Sequence, residues 1–241
     1  MEEILIFVLL ALIAEIIGTV SGFGSSILFV PIATLFFDFH IVLGITAVFH
    51  VFSNLSKIAL FRKGVNKNIV IKLGIPAVIF VIIGAFLTRF LEVRAMELLL
   101  SVLLIVLSLF LAFNHKFQLA QSNRNLYAGG VVSGFLAGLI GTGGAIRGLT
   151  MVAFNLEKSV FVATSALIDL GVDLSRAVVY TAGGYFQKEH IKLIPFLVFI
   201  SIVGSYIGKL ILQRTKQEVF RYIALVVIIG TSVVQLVKFM V

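Results

Sequence analysis

The segment Ser21-Gly22-Phe23-Gly24-Ser25-Ser26 interrupts an apolar stretch over residues 4–37, and Gly141-Thr142-Gly143-Gly144 interrupts a second one over 126–156. At about 1.5 Å per residue, a straight helix over either stretch would measure roughly 45–50 Å, whereas the hydrocarbon core of a bilayer is about 30 Å thick. One straight helix therefore does not suit either stretch. We predict that each helix breaks at its glycine cluster, because glycine permits the backbone conformations of a tight turn.

The composition is typical of a membrane protein. Of the 241 residues, 60% are hydrophobic and 12% are charged, and the mean hydropathy is +1.17. A soluble domain has about 45–50% apolar and about 25% charged residues. Lys and Arg number 19 against 11 Asp and Glu. We interpret this basic excess as charge on cytoplasmic loops and expect no nucleic-acid partner.

Six further apolar stretches are long enough to cross the lipid bilayer as ordinary helices. They cover residues 41–61, 69–90, 95–113, 160–181, 193–212 and 219–240. We therefore predict an all-α integral membrane protein with a multi-pass topology.

The chain repeats itself with an offset of 119 residues. The offset aligns, without a gap, Gly22 with Gly141, Gly24 with Gly143, Asn54 with Asp173, Lys57 with Arg176, and Pro76 with Pro195. We divide the single membrane domain into an N-terminal repeat, 1–118, and a C-terminal repeat, 119–241. Each repeat is expected to hold one glycine-broken helical hairpin, made of re-entrant segments or short spans, and three transmembrane helices.

The orientation of the two repeats depends on the breaks. If each broken stretch enters the membrane and returns, the second repeat is inverted relative to the first. If each break is only an unwound kink, the repeats are parallel. The length of the broken stretches favours inversion. The loop 62–72 carries four basic residues and is expected to be cytoplasmic, which places both chain termini outside.

The helices that restart near Ser25 and Gly143 would direct free N–H groups toward the protein interior. Two such helix ends that face each other form an anion site. We predict that the substrate-binding residues are Gly22, Gly24, Ser25, Ser26, Thr142, Gly143, Gly144 and Arg147. The alternative is that the glycines serve close helix packing alone, as the pairs Gly18/Gly22 and Gly134/Gly138 also suggest.

Arg147 has no counterpart in the first repeat, where Leu28 occupies the matching position. A guanidinium group grips an oxyanion with two N–H groups, so Arg147 suits a substrate role. It could instead neutralise Asp169 or Asp173. Glu15 lies within the first apolar stretch, where it could simply face a neighbouring helix.

Two repeat-related groups of polar residues fall on single helical faces. His50, Asn54 and Lys57 form the first group, and Asp169, Asp173 and Arg176 form the second. We predict coupling or gating roles for all six, with protons as a candidate coupling ion carried by a His50–Asp169 pair. His50 or Arg147 is the expected partner of Asp169. Asp173 and Arg176 could instead only neutralise each other.

The sequence does not favour an enzyme. The chain has no cysteine, the histidines show no metal-ligand spacing, and Gly18-Thr19-Val20-Ser21-Gly22 is one residue too long for the nucleophile turn of an intramembrane serine protease. Gly141-Thr142-Gly143-Gly144-Ala145-Ile146 has Ile146 where a dinucleotide loop has its third glycine, and it lacks the preceding strand. We expect no catalytic residues, no metal and no cofactor.

The two tandem breaks, Gly22-Phe23-Gly24-Ser25-Ser26 with Pro31 after it and Gly141-Thr142-Gly143-Gly144, are each followed by an apolar span that carries Thr46 or Thr164-Ser165. On these motifs nearly the whole chain resembles the TauE/SafE sulfite-exporter family, also called the 4-toluene sulfonate uptake permease family. The resemblance implies a carrier in the inner membrane of a prokaryotic cell for sulfite, sulfonates or related sulfur-containing anions, driven by an ion gradient.

We therefore predict a secondary transporter, with export as the expected direction, that moves a small sulfur-containing anion across the lipid bilayer by alternating access. An anion channel of the same architecture and a membrane scaffold subunit are the alternatives. The sequence gives no indication of an oligomeric state.

Overall fold

The computed structural model describes residues 2–113, 119–186, 188–216 and 219, and within these ranges the chain is helical and contains no strand. The helices are α1 (Glu2–Ser21), α2 (Ser26–Ala33), α3 (Phe39–Leu60), α4 (Lys67–Phe90), α5 (Val93–Phe113), α6 (Asn123–Ile140), α7 (Gly144–Val152), α8 (Lys158–Ala182) and α9 (Ile194–Arg214). The predicted all-α fold is confirmed. Apart from residue 219, the predicted span 219–240 lies outside the described residues.

Three described helices are long and apolar enough to cross a membrane, namely Phe39–Leu60, Lys67–Phe90 and Lys188–Arg214, and Leu5–Ser21 is a shorter apolar helix. Their outward surfaces are apolar as well. On α4, for example, Ile71, Ile75, Ile79 and Ile82 all have exposed side chains. This spacing puts them on one face of the helix, as is typical of a lipid-facing surface.

Both long apolar stretches break where predicted. Helix α1 ends at Ser21, and Gly22 and Gly24 adopt φ angles of 70° and 87° before α2 begins. Gly141 has φ 78° between α6 and α7. These angles lie in the left-handed region, which glycine enters without the steric cost that a Cβ atom brings.

The chain reverses direction at each break. The ring of Phe7, near the start of α1, lies 5.7 Å from the ring of Phe29 and 5.2 Å from that of Phe37, centroid to centroid. In the second hairpin, the Gln121 side chain donates a hydrogen bond of 2.7 Å to the Ala153 carbonyl. Each hairpin therefore returns to the side of the protein from which it started.

Helices α3 and α8 pack in opposite directions. Lys63, just after the end of α3, pairs with Glu157, just before the start of α8, at 2.6 Å. At the other end of the pair, a Cβ atom on Gly44 would lie 2.8 Å from the Tyr185 carbonyl oxygen. The order of these contacts makes the two helices antiparallel.

The two halves of the chain are interlocked through glycine-lined helix contacts. Helix α1 packs against α9 of the second half, and α6 packs against α4 of the first half. Gly134 and Gly138 of α6 lie directly against the α4 backbone at Ala77 and Val81. Close helix packing, which the sequence offers as the alternative role for the glycines, therefore applies to Gly134 and Gly138.

Basic residues lie unevenly on the two ends of the bundle. The end that holds the α3–α4 connection, here the α3–α4 face, is held together by contacts such as Lys63–Glu157 and Lys72–Asn123. Its described basic residues are Arg62, Lys63, Lys67, Lys72, Arg124, Lys158, Arg214 and Lys216. The opposite end, here the α4–α5 face, carries Arg89, Arg94, Lys188 and Lys192.

Candidate functional site

The two glycine breaks meet in the centre of the helix bundle. The Phe23 carbonyl lies against Gly144, and the Ser26 and Thr142 hydroxyl oxygens are 3.3 Å apart. Between the breaks is a cavity of about 20 Å³, which is room for about one water molecule.

Most of the predicted site residues line this central cavity. They are Gly24, Ser26, His50, Asn54, Lys57, Gly143, Gly144, Arg147, Asp169, Asp173 and Arg176, and Ala137, Gly141 and Val172 complete the lining. Gly22 borders a neighbouring space of about 10 Å³. Thr142 contacts Ser26 at the edge of the cavity, and the Ser25 hydroxyl binds Glu15 and His50.

The helix ends at the cavity leave backbone donors uncapped by side chains. Ser25 is the N-cap of α2 and makes no side-chain capping hydrogen bond, and Gly143 is the N-cap of α7 and has no side chain to make one. The first N–H groups of these helices therefore keep their partial positive charge beside the cavity.

Arg147 projects from the first turns of α7 and is 3% exposed. It forms an ion pair with Asp169 of α8, and its Nε donates a hydrogen bond of 3.3 Å to the Ser165 hydroxyl. Of the two partners expected for Asp169, the structure therefore selects Arg147 over His50. The guanidinium group lines the cavity together with Gly24 and Gly144.

The Arg176 guanidinium group binds both a second carboxylate and backbone carbonyl groups at the end of α6. Its Nε donates to Asp173 Oδ1 at 2.7 Å, and its Nη1 donates to the Gly141 carbonyl at 2.7 Å and to the Ala137 carbonyl at 3.2 Å. The last carbonyls of α6 are thus satisfied by a cation, which also favours the negative end of the helix dipole. Asn54 donates to the other Asp173 oxygen at 2.7 Å.

Glu15 is the residue at this site whose importance the sequence reasoning missed. It is fully buried and pairs with Lys57 at 3.0 Å. Four hydroxyl groups also donate to its carboxylate, those of Thr19, Ser25, Ser53 and Ser205. The one available signal was a carboxylate inside an apolar stretch, where an ionised group must find a partner.

Each described cation that lines the cavity is therefore paired with a carboxylate. Lys57 pairs with Glu15, Arg147 with Asp169, and Arg176 with Asp173. Because an unpaired charge in such a site is costly, each pairing offsets the cost of burying its two charged groups.

A family model described as "Sulfite exporter TauE/SafE" matches residues 7–234. The chain belongs to the TauE/SafE sulfite-exporter family. The family resemblance stated from the sequence motifs is thereby confirmed, and the protein is a membrane transporter.

A curated relative of this TauE/SafE protein is a probable membrane transporter protein of Methanocaldococcus jannaschii. It is 28% identical over 225 residues, which cover 85% of this chain and 84% of the relative. No solved structure matches the chain. A transporter family agrees with the expectation that the chain is not an enzyme.

Proposed function

We propose that this TauE/SafE protein is a secondary transporter that moves a small sulfur-containing anion, such as sulfite or a sulfonate, out of a prokaryotic cell. The observation that carries the proposal is the position of Arg147. This buried guanidinium group lies in a central cavity at the N-termini of two broken helices. Guanidinium and backbone N–H groups are the donors that bind oxyanions best in proteins.

The proposed architecture is two inverted repeats, 1–118 and 119–241. Support comes from α3 and α8, which occupy equivalent positions at the repeat offset and run antiparallel. Repeats related by an axis along the membrane normal would place equivalent spans in parallel. The two hairpins, which return to opposite ends of the bundle and meet at their breaks, support the same arrangement.

The proposed orientation places the α3–α4 face in the cytoplasm of an inner membrane. Its basic residues outnumber those of the α4–α5 face, and cytoplasmic loops carry the excess of Lys and Arg in membrane proteins. The N-terminus then lies outside.

The proposed binding site consists of backbone donors at Gly24, Gly143 and Gly144, hydroxyl groups of Ser26 and Thr142, and the charge of Arg147. Gly22 and Ser25 contribute to the turn rather than to the donor set, because the Gly22 N–H donates to the Gly18 carbonyl at 3.1 Å and the Ser25 hydroxyl is bound to Glu15 and His50. In the structure the Arg147 guanidinium group is paired with the Asp169 carboxylate. An incoming sulfonate would therefore take the place of the Asp169 carboxylate, which it resembles in charge and in its paired oxygen atoms.

The size of the cavity supports alternating access. A space for about one water molecule does not admit a sulfite ion, so the hairpins must move relative to α3 and α8 when the anion binds. Such movement would open the site to one side of the membrane and then to the other. An anion channel of the same architecture would instead keep a continuous pore.

Protons are the proposed coupling ion. His50, Asn54, Lys57, Asp169, Asp173 and Arg176 lie together at the cavity, and displacement of Asp169 from Arg147 would leave a carboxylate that a proton can neutralise. The anion and the proton would then be bound in the same step.

Transport by purified protein in liposomes tests the proposal. The substrates are sulfite and methanesulfonate, with and without an imposed pH gradient. We expect saturable flux that Arg147→Gln abolishes and that Arg94→Gln, on the exposed α4–α5 face, leaves intact. A conductance far above carrier turnover would indicate the channel, and absence of flux for every small anion would overturn the proposal in favour of a scaffold.

A further inference from the structure

The Ser25 hydroxyl bridges two ionisable side chains that come from different helices. Its Oγ lies 2.6 Å from Glu15 Oε2 on α1 and 2.8 Å from His50 Nε2 on α3. Glu15 and Ser25 are fully buried, and His50 is 4% exposed. The three groups form a continuous hydrogen-bonded chain that is shielded from bulk water.

The contacts of His50 Nδ1 indicate which of the two ring nitrogens carries a hydrogen throughout. His50 Nδ1 lies 2.8 Å from the Thr46 carbonyl oxygen, which can only accept a hydrogen bond. Arg176 Nη2 approaches the same nitrogen at 3.5 Å, a longer and weaker contact. Nδ1 therefore carries a hydrogen, and Nε2 is the nitrogen that can gain or lose one.

The distances on both sides of Ser25 then allow two proton arrangements. In the first, His50 Nε2–H donates to Ser25, which donates to an ionised Glu15. In the second, a protonated Glu15 donates to Ser25, which donates to a neutral His50. If neither Glu15 Oε2 nor His50 Nε2 carried a proton, Ser25 could donate its single hydroxyl hydrogen to only one of them. The other short contact would then bring two lone pairs together.

The two carboxylate oxygens of Glu15 have different hydrogen-bond partners. Oε1 accepts from Ser53 at 2.7 Å, from Ser205 at 2.8 Å and from Lys57 at 3.0 Å. Oε2 contacts the Ser25 hydroxyl at 2.6 Å. The donors at Oε1 leave Oε2 as the oxygen on which a proton can reside.

We infer that Glu15, Ser25 and His50 form a proton-binding site that holds one transferable proton and links it to the anion in the central cavity. When the proton moves, the Glu15 O–H bond breaks as a Ser25 O–H bond forms, and the original Ser25 O–H bond breaks as the His50 Nε2–H bond forms. The reverse transfer restores the first state. This inference rests on the proposed anion transport.

The charges around this site explain how an anion would move the proton. Lys57 Nζ lies 3.0 Å from Glu15 Oε1, and Arg176 Nη2 lies 3.5 Å from His50 Nδ1. His50, Lys57, Arg176, Arg147 and the two aspartates all line the cavity, and Glu15 does not. An anion that enters the cavity therefore stabilises the proton on His50, next to the substrate.

Methanesulfonate is the probe for the test, because it stays a monoanion across the working pH range and any response to pH then belongs to the protein. Liposomes with reconstituted protein are assayed for methanesulfonate exchange without a gradient and for accumulation under a pH gradient. We expect Glu15→Gln to continue exchange at a reduced rate while gradient-driven accumulation falls to the level of empty liposomes. Glu15→Gln accumulation equal to that of the unchanged protein would overturn the inference.

Glu157→Gln is the matched control. It makes the same substitution at an exposed carboxylate that pairs with Lys63 and makes no contact with Ser25 or His50. We expect this variant to keep gradient-driven accumulation, and its loss would show that the effect does not depend on the proposed proton-binding site and would overturn the inference. If the unchanged protein performs no methanesulfonate exchange at all, the proposed function fails instead.

A measurement on the unchanged protein avoids any dependence on whether Glu15→Gln folds. Nitrogen NMR of ¹⁵N-histidine-labelled protein in lipid, with His50 assigned by His50→Gln, reports the proton on each ring nitrogen. We expect Nδ1 to be protonated throughout and Nε2 to gain a proton when saturating methanesulfonate is added. An Nε2 signal that methanesulfonate does not change would overturn the inference.

Discussion

Asn54 on α3 donates a hydrogen bond of 2.7 Å to Asp173 on α8, and the two residues are separated by 119 positions, the offset at which the sequence repeats. Each residue therefore touches its own counterpart in the other half of the chain. Such a contact arises where an axis that relates two repeats passes between them. Because one residue is an amide and the other a carboxylate, Asn54 can donate the hydrogen bond and Asp173 can accept it.

Asn54→Asp should make the stability of the protein depend on pH. The substitution places two carboxylates within hydrogen-bonding distance of each other, and they repel only when both are ionised. At low pH one of them is protonated and can donate to the other. We expect the loss of stability relative to the unchanged protein to be smallest in acid and to grow as the pH rises, measured by thermal unfolding in detergent.

Asn66→Asp is the matched control for this change. Asn66 caps the start of α4 by accepting a hydrogen bond from the Ile69 N–H, and aspartate is an equally good N-cap. This variant should follow the pH profile of the unchanged protein. A deficit for Asn54→Asp that does not vary with pH would contradict the prediction.

Arg147→Gln should destabilise the protein by about 3–5 kcal/mol, because it leaves the largely buried Asp169 carboxylate without its cation. The double variant Arg147→Gln/Asp169→Asn removes both charges and should recover most of this loss. Chemical or thermal unfolding in detergent measures both effects. Equal destabilisation in the single and double variants would mean that the pair is not coupled.

Lys63→Gln provides the comparison for an exposed ion pair. The Lys63 and Glu157 side chains are 65% and 56% exposed, so their attraction is screened by water and contributes about 0–1 kcal/mol. We expect a correspondingly small change in unfolding.

Gly138→Ala should disrupt the contact between α6 and α4. A Cβ atom at this position would lie 2.6 Å from the Ala85 backbone nitrogen and closer still to the Val81 carbonyl oxygen. Because backbone atoms must move to admit it, we expect a loss of about 1–3 kcal/mol in unfolding free energy. Gly171→Ala is the control, since its Cβ would meet a Val78 side-chain carbon at 3.0 Å, which can rotate away. Equal losses for both variants would contradict this reasoning.

The proposed inverted arrangement predicts that repeat-related positions are exposed on opposite sides of the membrane. Arg94 and Gln213 are separated by 119 positions and are both exposed. The chain has no cysteine, so a single introduced cysteine is the sole thiol. In intact cells, a membrane-impermeant maleimide should label Arg94→Cys and should reach Gln213→Cys only after the membrane is permeabilised. Labelling of both from outside would indicate parallel repeats.

The sequence predicts the helix breaks and the described helices well, because membrane thickness and hydropathy act locally along the chain. Three of the predicted spans, 41–61, 69–90 and 193–212, coincide with helices that are long and apolar enough to cross a membrane. Each of the two broken apolar stretches is too long for one straight transmembrane helix, and its glycine cluster is the position at which the helix can break. The helix restarts at Ser26 and Gly144 lie within one residue of the predicted positions. The 119-residue offset was equally visible, since matched polar residues within spans do not depend on tertiary contacts.

The pairing of charges could not be predicted in the same way. Glu15 and Lys57 are 42 positions apart and meet only because α1 packs beside α3. Arg147 had two carboxylates within plausible reach, and the sequence left both open. The choice of Asp169 depends on the relative rotation of α7 and α8. The contact of Glu15 with Ser205 depends on the exchange of helices between the two halves.

The small central cavity and its paired charges have a consequence for the cell that houses this transporter. The cavity has room for about one water molecule, and each described cation of its lining is paired with a carboxylate, so it offers a free ion no favourable binding position. We therefore expect anions and protons to leak only slowly through the resting protein. A cell could then keep many copies in its membrane without dissipating the ion gradients on which the proposed transport depends.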